Sequence, residues 1–222
     1  MLVSIRNTGK AVLQRLYSPQ RFLWRLPAAQ AGVALTFDDG PDPVHTVALL
    51  DLLAEHGVKA SFFVIGEKVP QHAALLRRMA QEGHALGGHT WRHQDIVGQS
   101  AAQLALDLQR CRLAIHAASG VDTLLFRPPR GRLDAAALHH VCQLRYCLVH
   151  WTTSYGDYQR DGAQRLLGRM RANPPVARDI VLLHDHNEHT LAVLKILLPQ
   201  WLAAGLVFVT LPGGTSAAPA RS

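Results

Sequence analysis

Cysteine is scarce in this chain: Cys111, Cys142 and Cys147 are the three in 222 residues. They cannot all pair within one chain, and their spacing fits no zinc-ribbon pattern. A disulfide framework and a cysteine-rich structural zinc site are therefore excluded, and the three read as small buried hydrophobes in a reducing compartment. Aromatic residues make up only 6% and charged residues 18%. No apolar run approaches the roughly 20 residues that span a bilayer. Acids are outnumbered, 16 against 23 Lys and Arg, but the surplus is local. Residues 1–27 hold Arg6, Lys10, Arg15, Arg21 and Arg25 and no acid, which leaves +2 of the net +7 on the rest. A nearly neutral body lacks the broad basic face that nucleic acid requires, so no nucleic-acid partner is expected. What is present, at 48% hydrophobic, is an ordinary globular composition of one-domain length.

The first 27 residues also lack the apolar core and small-residue cleavage site of a secretory signal. Wound as a helix, Leu2, Ile5, Val12, Leu13 and Leu16 share one side, flanked by Arg6, Lys10 and Arg15. Two readings follow. The segment is either a basic amphipathic helix making peripheral contact with an anionic membrane, or a helix packed across the domain with its arginines in water. Gly9 weakens both. The expected organisation is a basic segment over 1–27, a folded domain over 28–212 and a disordered tail over 213–222. The expected location is cytoplasmic, with membrane association under the first reading.

From residue 31 short β-rich apolar runs alternate with stretches of helical period. Strands are expected at 32–37, 59–65, 84–88, 123–127, 144–150, 179–184 and 206–210. Helices are expected near 45–56, 70–82, 100–118, 133–142, 163–172 and 188–203. Seven strands separated by six helices indicate parallel βα units, closed as a barrel or open and doubly wound. Such folds carry their chemistry just beyond the carboxyl ends of the strands. Asp38, Asp39 and Asp42 follow the first run, and His89 and His93 the third. Arg127 and Arg130 close the fourth, Trp151 and Asp157 follow the fifth, and His184 and Asp185 end the sixth. Five of seven strand ends carry polar groups on one rim, which makes that rim the expected site.

Adjacent carboxylates such as Asp38 and Asp39 leave a strand end in different directions, so one can bind a metal while the other takes a proton. Asp42 fits better as a turn residue leading into a helix. His89 and His93, four apart after Gly87-Gly88, can reach one ion from a compact loop. Two nitrogens and one oxygen with open positions describe a catalytic zinc or related divalent ion rather than a closed structural site.

Five motifs then stand in order: Thr36-Phe37-Asp38-Asp39-Gly40-Pro41-Asp42, His89-Thr90-Trp91-Arg92-His93, Arg127-Pro128-Pro129-Arg130-Gly131, Trp151 to Asp157, and Leu182-Leu183-His184-Asp185. On these the chain resembles the polysaccharide deacetylase family, the carbohydrate esterase family 4 group that contains the chitooligosaccharide deacetylase of nodulation-factor synthesis. The resemblance runs from about residue 32 to 212. It implies an α/β fold, a distorted (β/α)7-type barrel of parallel strands (the NodB homology fold), and hydrolysis of acetyl groups from N-acetylated sugars. By the same resemblance Asp38 is the general base, and Asp39, His89 and His93 hold the divalent metal, zinc being the first choice. Arg127 steadies the base, His184 is the general acid, Asp157 orients it, and Leu182 lines the acetyl pocket. Trp151 and Arg130 are expected at the substrate.

Three departures qualify the pattern. Arg130 stands where the family has an aromatic, which trades a groove wall for a cation. Ser154 replaces the first acid of the fourth motif, and Tyr158 follows Asp157 where tryptophan is usual. No wall anchor or carbohydrate-binding module is seen, which favours a small or lipid-linked glycan. The alternatives are a deacylase acting on a non-carbohydrate amide or an O-acetyl ester, and an inactive barrel that binds glycan. His45, His139, His140, His186 and His189 are read as surface or packing residues.

Overall fold

Strand β2 (Ala34–Asp38) is buried at all five positions, and β8 (Ile180–His184) at its first four. Continuous burial without alternation is what a parallel sheet covered on both faces requires. The computed structural model describes residues 7–214 apart from residue 160. Its other strands are β1 (Phe22–Leu23), β3 (Ser61–Val64), β4 (Ala85–Gly88), β5 (Leu125–Phe126), β6 (Cys147–Val149) and β7 (Thr153–Ser154). They join in the order β1-β6-β5-β4-β3-β2-β8-β7, parallel at each junction. The sheet curls into a half-barrel with β1 and β7 at its edges. The distorted barrel expected from sequence is present, with eight strands among the described residues rather than seven.

Helices α1 (Asn7–Leu16), α2 (His45–Glu55), α3 (Ala73–Gln81), α4 (Ala101–Ser119), α5 (Ala135–Gln143), α6 (Ala163–Ala172) and α7 (Glu188–Ala203) cover the sheet. Their ends follow local chemistry. Ser100 and Gln103 form a reciprocal capping box at the start of α4, and Gly120, at φ 75°, ends it. Asp134 caps α5 through the Ala137 N–H at 2.7 Å. The largest core cluster lies between β2, β3, β8 and helices α2, α3, α6 and α7, and includes Phe37, Phe62, Leu183 and Leu197. Among the described residues no helix is long and apolar enough to cross a membrane.

The structure corrects three sequence expectations. The run 206–210 makes a single parallel bridge, Val33 with Phe208, because from Ala34 onward β8 and β3 occupy the two edges of β2. The domain begins before residue 28: β1 pairs with β6, and Phe22, Leu23 and Leu26 are fully buried. The tail is ordered at its start, since the Gly214 carbonyl accepts from the Leu86 N–H at 2.6 Å. Residues 215–222 lie outside the described residues.

Helix α1 packs on the barrel rather than standing apart. Leu13 and Tyr17 join the cluster of Phe22, Phe126, Val141 and Leu148. Gln14 accepts from the Trp24 and Arg25 N–H groups and donates to the Arg25 carbonyl, each at 3.2 Å. Val12 and Leu16 stay exposed, and Leu2, Ile5 and Arg6 lie outside the described residues.

Deleting residues 1–27 therefore removes an edge strand and three core side chains, each worth about 2 kcal/mol of burial, against a total stability of about 5–15 kcal/mol. A chain starting at residue 28 is expected to be insoluble or to melt more than about 10 °C lower. A soluble product with an unchanged melting curve would show that β1 is dispensable.

Candidate active site

The backbone separates the two aspartates that end β2. Asp38 continues the strand and is buried. Asp39 has φ 72°, a left-handed conformation that few non-glycine residues adopt, so its carboxylate leaves in another direction. Asp38 Oδ1 accepts from Arg127 Nη1 at 2.7 Å. The same Nη1 donates to Thr36 Oγ1 at 2.8 Å, and Nη2 to the His150 carbonyl at 3.3 Å. Arg127 is 0% exposed and lies 4.2 Å from the Phe63 ring centroid. Gly87 makes room for that ring, because a Cβ there would come within 2.6 Å of Phe63.

The loop after β4 carries the histidine pair. Thr90 (φ 63°) and His93 (φ 55°) turn it back on itself. His89 Nε2 and His93 Nε2 lie 3.4 and 3.2 Å from Asp39 Oδ1, and their ring centroids are 5.1 Å apart. His89 Nδ1 lies 2.7 Å from the Arg127 carbonyl. A carbonyl can only accept, so Nδ1 carries a proton and Nε2 is the ring atom turned toward Asp39. Asp39 Oδ1 is buried and receives no hydrogen bond. One ligand atom from each of the three residues lies within 4.8 Å of the others. Lone pairs from two imidazoles and an unsatisfied carboxylate oxygen converging on one point fit a divalent cation in both charge and donor type. Burial opposes ionisation of Asp39, yet the His89, His93 and His184 rings outweigh it and hold its carboxyl well below the usual range.

Register brings the third group. In the β2–β8 pairing Asp38 stands opposite His184. His184 Nδ1 donates to Asp157 Oδ1 at 2.9 Å, and its backbone N–H to Asp157 Oδ2 at 2.8 Å. Thr190 Oγ1 donates to the same Oδ2 at 2.8 Å, and Asn187 Nδ2 to the Asp157 carbonyl at 2.6 Å. His184 Nε2 lies 3.9 Å from Asp39 Oδ2. Burial pulls the imidazole pKa down. The Asp157 hydrogen bond and charge, with Asp38 and Asp39 behind them, raise it to about 9.

The remaining sequence-derived residues border this set. Leu182 is buried in β8 opposite Thr36. Trp151 lies against His150, at 4.9 Å between centroids, and against Gly131, where any Cβ would collide with the indole. Arg130 (φ 56°) is exposed and pairs at 2.9 Å with Asp95, which also takes Arg132 at 2.6 Å. Asp42 accepts from the Val44 and His45 N–H groups, the turn role expected of it. Tyr158 meets the His184 ring edge-on at 5.9 Å, and His186 does so at 5.7 Å. Sequence reasoning assigned no role to Thr36, Thr190 or Asn187, which carry no strand-end signal, nor to His150, although it ends the expected strand 144–150. It set Lys10 at the flank of the helix's apolar side without a role, and Lys10 is buried beside Trp151.

A curled parallel half-barrel that lines up an arginine-held carboxylate, a carboxylate-held imidazole and a His-His-Asp cluster on one rim has the layout of a hydrolytic enzyme. The chain belongs to the polysaccharide deacetylase family, whose model matches residues 26–149. It is similar to a peptidoglycan-N-acetylglucosamine deacetylase of Bacillus cereus, 33% identical over 192 residues that cover 84% of this chain and 89% of that protein. It is also similar to a chitooligosaccharide deacetylase of Sinorhizobium fredii, 31% identical over 208 residues covering 86% and 96%. Among solved structures, a peptidoglycan N-acetylglucosamine deacetylase in complex with an N-hydroxybenzamide superposes with a TM-score of 0.80 at 27% identity, over 89% of this chain and 94% of that one. A carbohydrate esterase family 4 pseudoenzyme from Bacillus anthracis reaches 0.79 at 22% identity, over 88% and 68%, which speaks to the fold alone.

The His184–Asp157 geometry has a measurable consequence in metal-free protein. With a folded pKa of about 9 above the ordinary 6.5, the pair contributes stability that is complete below about pH 6.5 and is lost as pH rises through about 9. Histidine NMR should show this titration, and Asp157→Asn should move it down, because only Asp38 and Asp39 then oppose burial. A midpoint unmoved by Asp157→Asn would remove Asp157 as its cause.

Proposed function

We propose that this chain hydrolyses the acetamido group of an N-acetylated glycan with water as the nucleophile. The observation that carries the reading is the register of Asp38 opposite His184, beside the Asp39-His89-His93 cluster. A divalent ion held by Asp39, His89 and His93, with zinc the best match to two imidazoles and a carboxylate, would polarise the amide carbonyl and make water acidic enough to attack near neutrality. Asp38 accepts the proton from the attacking water, and Arg127 keeps that carboxylate aimed. A backbone N–H of the Pro129–Gly131 turn faces the oxyanion of the tetrahedral species. His184, protonated with Asp157 behind it, gives its proton to the departing amine, which is otherwise a poor leaving group. Leu182 lines the space for the acetyl methyl, while Trp151 and Arg130 meet the sugar. Because water attacks directly, no acyl-enzyme forms.

The substrate classes of the relatives, peptidoglycan and chitooligosaccharides, are the first to be tried. An inactive barrel is disfavoured because the full set of groups needed for hydrolysis stands on one rim. The O-acetyl ester or non-carbohydrate amide reading uses the same residues, and acetate release from a substrate panel separates it.

His89→Ala or His93→Ala should lose most bound metal and acetate release together. Asp38→Asn should keep the metal while turnover falls by at least about 10²-fold. It leaves the buried Arg127 without its anion, which costs on the order of 3 kcal/mol, so melting temperature must be measured alongside. His184→Ala should flatten only the basic limb of the pH–rate profile when chemistry limits the rate. Full activity of folded, metal-loaded Asp38→Asn would end this mechanism.

A further inference from the structure

Lys10 of α1 is only 5% exposed, and among the described residues it pairs with no carboxylate. Its Nζ donates to the Trp151 carbonyl at 3.1 Å and lies 4.8 Å from the Trp151 ring centroid. The charged and titratable groups that face it are Arg127, at the end of β5, and His150, at the end of β6. Neither supplies negative charge, and both His150 nitrogens are buried without a partner. A methionine would fill such a site without the cost of desolvating an ammonium.

The place explains the lysine. Residues 150–152 carry the chain from β6, beside edge strand β1, to edge strand β7. The His150 N–H bonds the Leu23 carbonyl at 2.7 Å on one side, and the Thr152 N–H bonds the Ile180 carbonyl at 3.0 Å on the other. The Trp151 carbonyl between them is taken by Lys10. The Trp151 ring in turn packs on Gly131, which ends the turn carrying Arg130. We infer that Lys10 is a positioning residue: α1 seats its ammonium at the seam of the half-barrel, where it fixes Trp151 and through it one wall of the catalytic rim. The N-terminal helix, which precedes the family match, is then a working part of the site.

The turnover arm of the test rests on the deacetylase reading, whereas the spectroscopic arm does not. Burial and the nearby Arg127 charge lower the Lys10 pKa to about 8, while His150 is held well below the ordinary imidazole value and is silent there. Wild-type tryptophan emission should show a step centred near pH 8, absent from Lys10→Met and from Trp151→Phe. Lys10→Met should keep its melting temperature and metal content, and its kcat/KM should fall about tenfold, mainly through KM. Lys10→Arg should restore kcat/KM without restoring the step. An emission step that persists in Lys10→Met, or a kcat/KM loss that merely tracks loss of folded protein, would overturn the inference. If the wild type releases no acetate from any glycan, the deacetylase reading falls, and the emission step alone decides for or against the Lys10 seat.

Discussion

The Arg127–Asp38 ion pair is the contact on which the rim depends. A guanidinium removed from water loses several kcal/mol of hydration, and only a geometry that satisfies most of its donors offsets that. Here Nη1 and Nη2 reach Asp38 and Thr36 on β2 and the carbonyl of His150 beyond β6, while the planar group rests on Phe63 of β3. Its backbone does the rest. The Arg127 N–H bonds the Gly88 carbonyl at 3.0 Å, and the Arg127 carbonyl receives His89 Nδ1. One residue thus ties β2, β3, β4 and β6 to each other at the level of the site. A lysine has no planar fork and could not serve these directions together.

Much of this was legible from sequence because parallel strands place their terminal residues on one rim. The aspartates, the histidine pair, Arg127 and His184 each end or follow an apolar run. The helices were legible too: α6 and α7 match the expected 163–172 and 188–203 to the residue. Pairing was the hidden part. β1 and β7 are two residues long, and neither carries a period that could announce a strand. They exist because β6 and β8 present free edges to them, which is a property of distant sequence. The run 206–210 shows the converse, an apolar β-rich segment left with one bridge because both edges of β2 were taken.

Lys10 marks a different limit. The helical wheel placed α1's apolar side correctly through Leu13, yet it left Lys10 at the flank of that side with no partner named. Residue type states that an ammonium prefers solvent. It does not state that a carbonyl and an indole face wait at the mouth of a seam between two sheet edges. Only the closure of the half-barrel creates that acceptor, and only then does the lysine's burial become tolerable.

The carboxylates of the rim show how far environment, rather than residue type, sets chemical role. Asp39 lies among imidazoles and is held firmly ionised, the state a cation ligand needs. The Asp157 carboxylate accepts from the His184 ring, the His184 N–H and Thr190 Oγ1, so it anchors an imidazole and has little capacity left for substrate. Asp185 follows His184 directly, yet it is fully buried with a single donor, Thr46 Oγ1 at 2.6 Å, and burial pushes its pKa up to about 7. Asp38 differs from all of these. One of its oxygens is fixed by Arg127, and the other, Oδ2, faces His89 at 3.8 Å without a hydrogen bond. A carboxylate aimed by one oxygen and free on the other is suited to receive a proton from water. Asp42 and Asp185 are also held through one oxygen, but only Asp38 among the three pairs with a buried arginine and stands opposite His184 in the sheet, which is why we propose it as the base on geometry as well as on motif.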